Sequence, residues 1–358
     1  MAASVPRLGF LDWARGVAAL IMLQGHVFDA FAVGEQRQDP VFVLSQFVGG
    51  MPPAIFLFLT GITLAFLMDS QERRELSAWE KLKGVAYRSR YLLVIAILFR
   101  LQMWAFAWPY SHWTDLLKVD VLNAMGVAVL LSAPLSLLSR MDRLRWAIGA
   151  GLAIAVASPL IANLDWTGIP TLVKQYIAPS ATGFSLFPWA AFLGFGLAVG
   201  TMIRIVPPRE LGRAAQWWAL AGIVLIFGSQ KLADLPYSLY PKSDFWIDSP
   251  WLVFIKLGCA LILLSVAYLW NTHLSSGWSA VRQLGTTSLL VYWVHTELVY
   301  GRWLWGLRGQ LSMAQLAVLA AGVILAMIGL SVLRTNWSAI RERISGRGFL
   351  TPAPTEGD

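Results

Sequence analysis

Four ionisable residues lie on one face of a single apolar segment near the start of the chain, residues 8–31. On a helical wheel of 100° per residue, Asp12, His26 and Asp29 fall within about 60° of Arg15. Asp12 and Asp29 are about 25 Å apart along the helix axis, which is close to the thickness of the hydrocarbon core of a membrane. Charged groups inside a membrane are costly and usually face a polar interior, so this face predicts a function carried out across the membrane. The four residues are Asp12, Arg15, His26 and Asp29.

His26 is the first candidate for chemistry, because an imidazole gains and loses a proton near neutral pH. Asp29 follows three residues later on the same face and is predicted to orient the imidazole and stabilise its protonated form. The alternative is a buried His–Asp pair that only joins two helices. Asp12 and Arg15 have the same spacing. They either form an ion pair that makes insertion tolerable or leave Arg15 to bind a phosphate that enters from the cytoplasm.

Two later segments carry further polar residues at membrane depth. Arg100 lies near the middle of LLVIAILFRLQMWAF and needs a partner there, for which Asp12, Asp120 and a ligand anion are the alternatives. Asp120 and Asn123 open another apolar segment, on the side of the membrane where His26 is expected. We therefore expect Asp120 and His26 to share one outward-facing cavity.

A third polar face lies in the segment 284–301. Ser288, Tyr292 and His295 are spaced so that they share one side of a helix. Such a face is either a wall of a substrate site or a set of hydrogen bonds between helices, and the sequence leaves both open.

The composition of the chain is typical of a polytopic membrane protein. Of its 358 residues, 57% are hydrophobic and 13% are charged, and the mean hydropathy is +0.60. The hydrophobic pattern predicts an all-α integral membrane protein with about ten transmembrane helices. We expect residues 1–343 to form a single transmembrane domain and the polar residues 344–358 to be a disordered cytoplasmic tail. The predicted helices cover 9–33, 47–69, 89–108, 119–138, 145–164, 187–204, 215–232, 251–270, 285–304 and 313–333.

The distribution of basic residues predicts the orientation. With the amino terminus inside, 18 Lys and Arg residues fall on the inner side and six on the outer side, which is the bias expected of cytoplasmic segments. Both termini are therefore predicted to be cytoplasmic. The net charge of +8 lies in short segments that meet anionic lipid, which argues against nucleic acid as a partner. No Walker loop, dinucleotide-binding glycine pattern, HExxH or CxxC is present, so we predict no resident metal and no permanently bound cofactor.

The opening of the chain resembles a known group of membrane enzymes. Leu11-Asp12-x-x-Arg15-Gly16, followed by an apolar run and His26, is similar to the first segment of the transmembrane acyltransferase superfamily. Four further segments occur in family order. They make the chain most similar to bacterial members of the heparan-alpha-glucosaminide N-acetyltransferase catalytic-domain family. These segments are 52–66 (PPAIFLFLTGITLAF), 118–131 (KVDVLNAMGVAVLL), 185–200 (SLFPWAAFLGFGLAVG) and 284–301 (LGTTSLLVYWVHTELVYG).

The resemblance implies an enzyme that moves an acyl group, typically acetyl, from cytoplasmic acyl-CoA to a sugar amine or hydroxyl at the outer face. Acetyl-CoA or another acyl-CoA is the implied co-substrate, and His26, assisted by Asp29, is the implied general base or acyl carrier. The residues expected to contact the co-substrate are Asp12, Arg15 and Arg100. The residues expected to contact the acceptor are Asp120, Asn123, Tyr292 and His295.

The expected surroundings follow from the same resemblance. They are the lipid bilayer of a bacterial inner membrane and an acceptor that is an envelope glycan, lipid or small amine rather than heparan. A monomer and a homodimer both remain open.

Two other classes of function compete with this interpretation. A proton-coupled secondary transporter or exporter is one, because a stripe of Asp, Arg and His side chains can relay protons. No internal repeat relates the first five predicted helices to the last five, which counts against it. A non-catalytic scaffold is the other, and it would leave His26→Ala and Asp29→Ala without effect. Dependence on a proton gradient or on acyl-CoA separates the transporter from the enzyme.

Overall fold

The computed structural model describes residues 8–274, 277–338 and 341, and all of the regular elements in these ranges are helices. One isolated bridge between Ala32 and Leu311 is the only β-type pairing among them. The all-α prediction is confirmed, whereas the predicted tail 344–358 lies outside the described residues. The α-helices are α1 (Gly9–Phe31), α2 (Pro40–Gly49), α3 (Pro52–Arg73), α4 (Ala78–Phe106), α5 (Val121–Leu131), α6 (Arg140–Ala162), α7 (Thr171–Ile177), α8 (Leu186–Ile205), α9 (Leu211–Ala233), α10 (Pro250–His273), α11 (Ala280–Thr286), α12 (Ser288–Tyr300) and α13 (Met313–Thr335).

Seven helical stretches of the described chain are long and apolar enough to cross a membrane. The predicted count of about ten is not confirmed. The other three predicted spans fall on α1, which carries the polar face, on α5, which has 11 residues, and on α11 and α12, which are interrupted at Thr287. These three segments carry most of the residues predicted to be functional. The seven stretches are 40–73, 78–106, 140–162, 186–205, 208–233, 250–273 and 313–335.

The helix α1 lies in the middle of the bundle and contacts α2, α3, α10, α11, α12 and α13. Its contact with α11 is backbone against backbone. A Cβ on Gly16 would overlap the Val281 carbonyl, and a Cβ on Gly285 would overlap the Asp12 carbonyl. Glycine at both positions lets the two helices approach this closely. The position of α11 along α1 is thereby fixed, and α12 begins immediately after it.

The helices α3 and α8 pack in the same way. A Cβ on Gly61 would overlap the Leu193 carbonyl, and one on Gly196 would overlap the Phe58 carbonyl. Glycines at the contact allow the backbones of two membrane helices to approach this closely. The pair forms the centre of the larger hydrophobic core.

One buried carboxylate joins three helices at the end of the bundle opposite His26. Asp69 on α3 is 1% exposed and pairs with Arg73 of the same helix. Arg140, at the start of α6, places Nη2 2.8 Å from Asp69 Oδ1. Arg204, near the end of α8, places Nε 2.7 Å from Asp69 Oδ2. The carboxylate therefore partly neutralises three guanidinium groups that would otherwise repel one another.

Candidate functional site

The most polar contact at the carboxyl end of α1 joins two histidines that are 269 residues apart in the chain. The Nδ1 of His26 lies 2.9 Å from the Nε2 of His295 on α12. The two rings are nearly parallel, with centroids 5.1 Å apart and an interplanar angle of 21°. His295 is fully buried, whereas His26 is partly accessible. The pair therefore holds one imidazole fully inside the bundle and leaves the other partly accessible.

The hydrogen bonds assign the protons of both rings. The Nδ1 of His295 lies 2.7 Å from the Val291 carbonyl oxygen, which only accepts, so His295 carries its hydrogen on Nδ1. In the neutral ring Nε2 is then an acceptor, and the Nδ1 of His26 donates to it. The Nε2 of His26 is left without a hydrogen, and no described residue donates to it. Its lone pair is available to accept a proton from a substrate.

Asp29 lies on the last turn of α1 and does not orient His26. Its Oδ2 accepts a hydrogen bond of 3.1 Å from the Tyr300 hydroxyl, and its Oδ1 lies 3.7 Å from Arg37 Nη1. The orienting position expected for Asp29 is filled by His295. Asp29 does not take this position because it lies at the end of α1. Its half-exposed side chain extends toward Arg37 in the following segment rather than back along the helix. Asp29 still borders the site, because the Tyr300 ring lies 5.2 Å from the His26 ring.

Arg100 and Asp120 form an ion pair, which was one of the alternatives left open by the sequence. Arg100 Nε lies 3.1 Å from Asp120 Oδ2. Asp120 Oδ1 accepts hydrogen bonds of 3.0 Å from the backbone N–H groups of Leu122 and Asn123, so it also caps α5. The side chain of Asn123 donates to the Lys118 carbonyl at 3.4 Å. These contacts fix the start of α5 against α4.

Tyr292 lies between the histidine pair and the Arg100–Asp120 pair. Its ring is 6.0 Å from His295 and 5.3 Å from Phe99, the residue before Arg100. Its hydroxyl donates to no described residue. The structure thus brings together His26, Tyr292 and His295, with Asp120 within electrostatic range of Tyr292.

Asp12 and Arg15 lie near the other end of α1. Arg15 is about 16 Å from His26 along the helix axis, and its Nη1 is 3.0 Å from Asp12 Oδ1. The ion pair, one of the two alternatives that their spacing left open, is therefore present. Arg100 is separate from these two residues, because it pairs with Asp120 at the His26 end.

A cavity of about 160 Å³ lies at the same end of α1, between Trp13 and the residues that join α10 to α11. Trp13 and Trp270 stack there with centroids 5.6 Å apart, and Trp278, Ser279 and Arg282 complete the wall. Flat aromatic faces beside a guanidinium group are suited to a ring-bearing anion such as a nucleotide.

Two residues of the site were not found by sequence reasoning. Tyr300 lies about 140° from His295 on the wheel of α12, so periodicity does not place it on the same face. It reaches His26 because α12 ends beside the end of α1. Arg37 follows α1 in a polar loop and has no distinguishing signal in the sequence.

Comparison with known protein families matches residues 7–234 to the family described as "Heparan-alpha-glucosaminide N-acetyltransferase, catalytic". The match covers α1 to α9, including His26 and Asp120, and ends before α12. His295 and Tyr300 lie outside the matched residues, and their place beside His26 is given by the structure. No curated protein matches the chain.

Proposed function

The chain belongs to the heparan-alpha-glucosaminide N-acetyltransferase catalytic family, and from this premise we propose that it is an acetyl-CoA-dependent membrane enzyme that acetylates a sugar amine or hydroxyl. The observation that carries the proposal is the free Nε2 of His26, held by the hydrogen bond to His295. We place the donor on the cytoplasmic side and the acceptor at the outer face of a bacterial inner membrane, because the basic residues favour cytoplasmic termini. The acceptor class we propose is an envelope glycan or amino sugar.

The proposed reaction is a direct transfer with His26 as general base. The acceptor nitrogen or oxygen attacks the thioester carbonyl carbon while its proton passes to Nε2 of His26. A C–N or C–O bond forms, the carbonyl becomes an oxyanion, and the C–S bond then breaks. The proton on Nε2 passes to the departing thiolate, so free CoA leaves as the thiol and His26 returns to its starting state.

Tyr292 is the donor we propose for the oxyanion. The side chain of Asn123 donates to the Lys118 carbonyl, and the Trp293 indole donates to Gln102 at 2.5 Å. The Tyr292 hydroxyl keeps its hydrogen for a ligand, since no described residue accepts it. A preorganised donor of this kind stabilises the charge that develops in acyl transfer.

Asp29 and the cavity at the other end of α1 are assigned to the two substrates. The half-exposed Asp29 carboxylate, close to His26 through Tyr300, is suited to an amine or hydroxyl of the acceptor. The cavity at Trp13 and Arg282 is suited to the nucleotide of the donor. About 20 Å of α1 separates Trp13 from His26, and we propose that the extended pantetheine arm spans this distance.

The proposed function predicts that the purified protein, in detergent or nanodiscs, releases free CoA from acetyl-CoA only when an acceptor is present. A panel of amino sugars and envelope glycans with acetyl-labelled donor measures both thiol release and label on the acceptor. If the wild-type protein neither binds acetyl-CoA nor labels any acceptor, the proposal fails. Solute uptake into proteoliposomes that depends on a proton gradient would then support the transporter.

His295 is expected to be a positioning residue for His26. Replacing it with Leu removes the acceptor for His26 Nδ1, so the tautomer and the ring orientation are no longer fixed. We expect kcat to fall by about 100-fold or more while KM for the acceptor changes little. His295→Gln offers a carbonyl oxygen to the same Nδ1 and should restore part of the loss.

The control for His295 is Thr296→Val on the same turn of α12. The Thr296 hydroxyl donates only to the Tyr292 carbonyl, so this variant should retain nearly full activity. Equal losses in His295→Leu, His295→Gln and Thr296→Val would show that α12 is merely sensitive to change, and the positioning role would be wrong.

A further inference from the structure

Lys256 has no anionic partner among the described residues. It lies on α10, two turns after the Ser249 cap, within one of the seven membrane-spanning stretches. Among the described residues, no carboxylate, carbonyl or hydroxyl forms a hydrogen bond or ion pair with its ammonium group. The Nζ atom lies instead 4.8 Å from the centre of the Trp189 ring. A charged side chain at this depth normally has a partner, so the missing counter-charge requires an explanation.

The acidic residue closest to Lys256 in the sequence is already engaged. Asp248, just before α10, accepts a hydrogen bond of 2.7 Å from the Ser243 hydroxyl and one of 3.0 Å from the Asp244 N–H. Both bonds belong to the loop that leads into α10. Asp248 therefore stabilises its own loop and leaves Lys256 without an internal anion.

The ammonium group lies close to the turn that packs on the His26 segment. A Cβ on Gly50 would be 4.0 Å from Lys256 Nζ, and the preceding Gly49 packs directly on Gly25 of α1. Gly25 is the residue before His26. Only the short turn between α2 and α3 therefore separates Lys256 from the turn of α1 that holds the proposed base.

The surroundings of Lys256 are also open toward the loop end of the bundle. A small cavity between α8 and α10 is lined by Trp189, Trp246, Ser249 and Lys256, among others. Trp246 is exposed and lies in the loop before α10. The indole rings present flat apolar faces, and the ammonium group beside them can form a charge-assisted hydrogen bond with an anionic oxygen that reaches the cavity.

We propose that Lys256 binds an anionic oxygen group, a carboxylate or a phosphate, on the acceptor. The inference rests on the proposed function and extends it by specifying that the acceptor is negatively charged. The ligand group would supply the counter-charge that the described protein lacks, and it would hold the sugar with its amine or hydroxyl directed toward His26.

The test compares three acceptors that share one amino-sugar core: glucosamine, muramic acid, which carries a carboxylate, and glucosamine 6-phosphate. In the wild-type protein, KM for one or both anionic acceptors should be at least about 10-fold lower than for glucosamine. Lys256→Met should remove this preference and leave KM for glucosamine and kcat nearly unchanged, while Lys256→Arg should preserve it. The carboxylate and phosphate arms distinguish which oxyanion is bound. Lys231→Met, at an exposed position on α9, is the matched control and should behave as wild type.

A measurement on the wild-type protein keeps the proposal testable if Lys256→Met does not fold. At least one of the two anionic products, N-acetylmuramic acid and N-acetylglucosamine 6-phosphate, should inhibit the enzyme. The inhibiting concentration should be at least about 10-fold lower than that of N-acetylglucosamine. Equal KM values and equal inhibition for neutral and anionic sugars would overturn the role of Lys256 while leaving the acetyltransferase intact. Failure to acetylate any of the three acceptors, together with no binding of acetyl-CoA, would instead count against the proposed function.

Discussion

Replacing His26 with Ala is expected to lower the rate of acetyl transfer by about 10²–10⁴-fold, because the variant loses the group that takes the proton of the acceptor. Among the described contacts, Nε2 of His26 has no hydrogen-bond partner, whereas His295 has both ring nitrogens occupied by hydrogen bonds. No neighbouring imidazole can therefore replace it. Release of CoA and label on the acceptor measure the loss, and binding of acetyl-CoA should remain close to that of the wild type.

The control for His26 is His112→Ala. His112 is exposed in the loop before α5, and this variant should retain full activity. The same labelled donor distinguishes the two chemical roles of His26. Label that stays on the protein without acceptor, and is lost in His26→Ala, would indicate an acyl-histidine intermediate. Full activity of His26→Ala would exclude both roles.

Asp69→Asn is expected to cause the largest loss of stability among single substitutions of polar residues. The change removes the negative charge shared by Arg73, Arg140 and Arg204, and their mutual repulsion is left without compensation. Removing one partner of a buried ion pair costs 3–5 kcal/mol in typical cases, and the three arginines are partly exposed, so we expect about 2–4 kcal/mol. The midpoint of thermal unfolding in detergent and the yield of monodisperse protein measure the effect.

Two variants define what the Asp69 result means. Glu75→Gln neutralises an exposed carboxylate at the same end of the bundle and should unfold like the wild type. Adding Arg204→Gln to Asp69→Asn removes one of the repelling charges and should recover part of the lost stability. A melting curve of Asp69→Asn that coincides with that of Glu75→Gln would mean that solvent already screens the three arginines.

The sequence was sufficient for the class of fold and for several local contacts near the candidate site. Apolar periodicity predicted a helical membrane protein, and α1 was placed within two residues of its ends. His26 was identified from its type and depth, and the ion pairs of Arg15 and Arg100 were among the stated alternatives. These features depend on spacing along one helix or on the cost of a charge in lipid, and both can be read from a single chain.

The remaining features depend on which helices are neighbours. His26 and His295 were both selected, but 269 residues separate them and no local pattern pairs them. Asp69 meets arginines from three helices, and those arginines were interpreted only as markers of orientation. The end of α5 at Leu131, followed by Pro134, and the interruption at Thr287 divide segments that the hydrophobic pattern predicted as uninterrupted spans.

The hydrogen-bond chain that begins at His26 also determines the path that a proton can take through the bundle. From His26 the chain passes to His295 and stops at the Val291 carbonyl, an oxygen that does not carry a proton onward. A proton taken up at Nε2 must therefore leave by the same atom. The imidazole pair is therefore a dead end for protons within the described bundle, so a proton enters and leaves it only from the side that the substrates occupy.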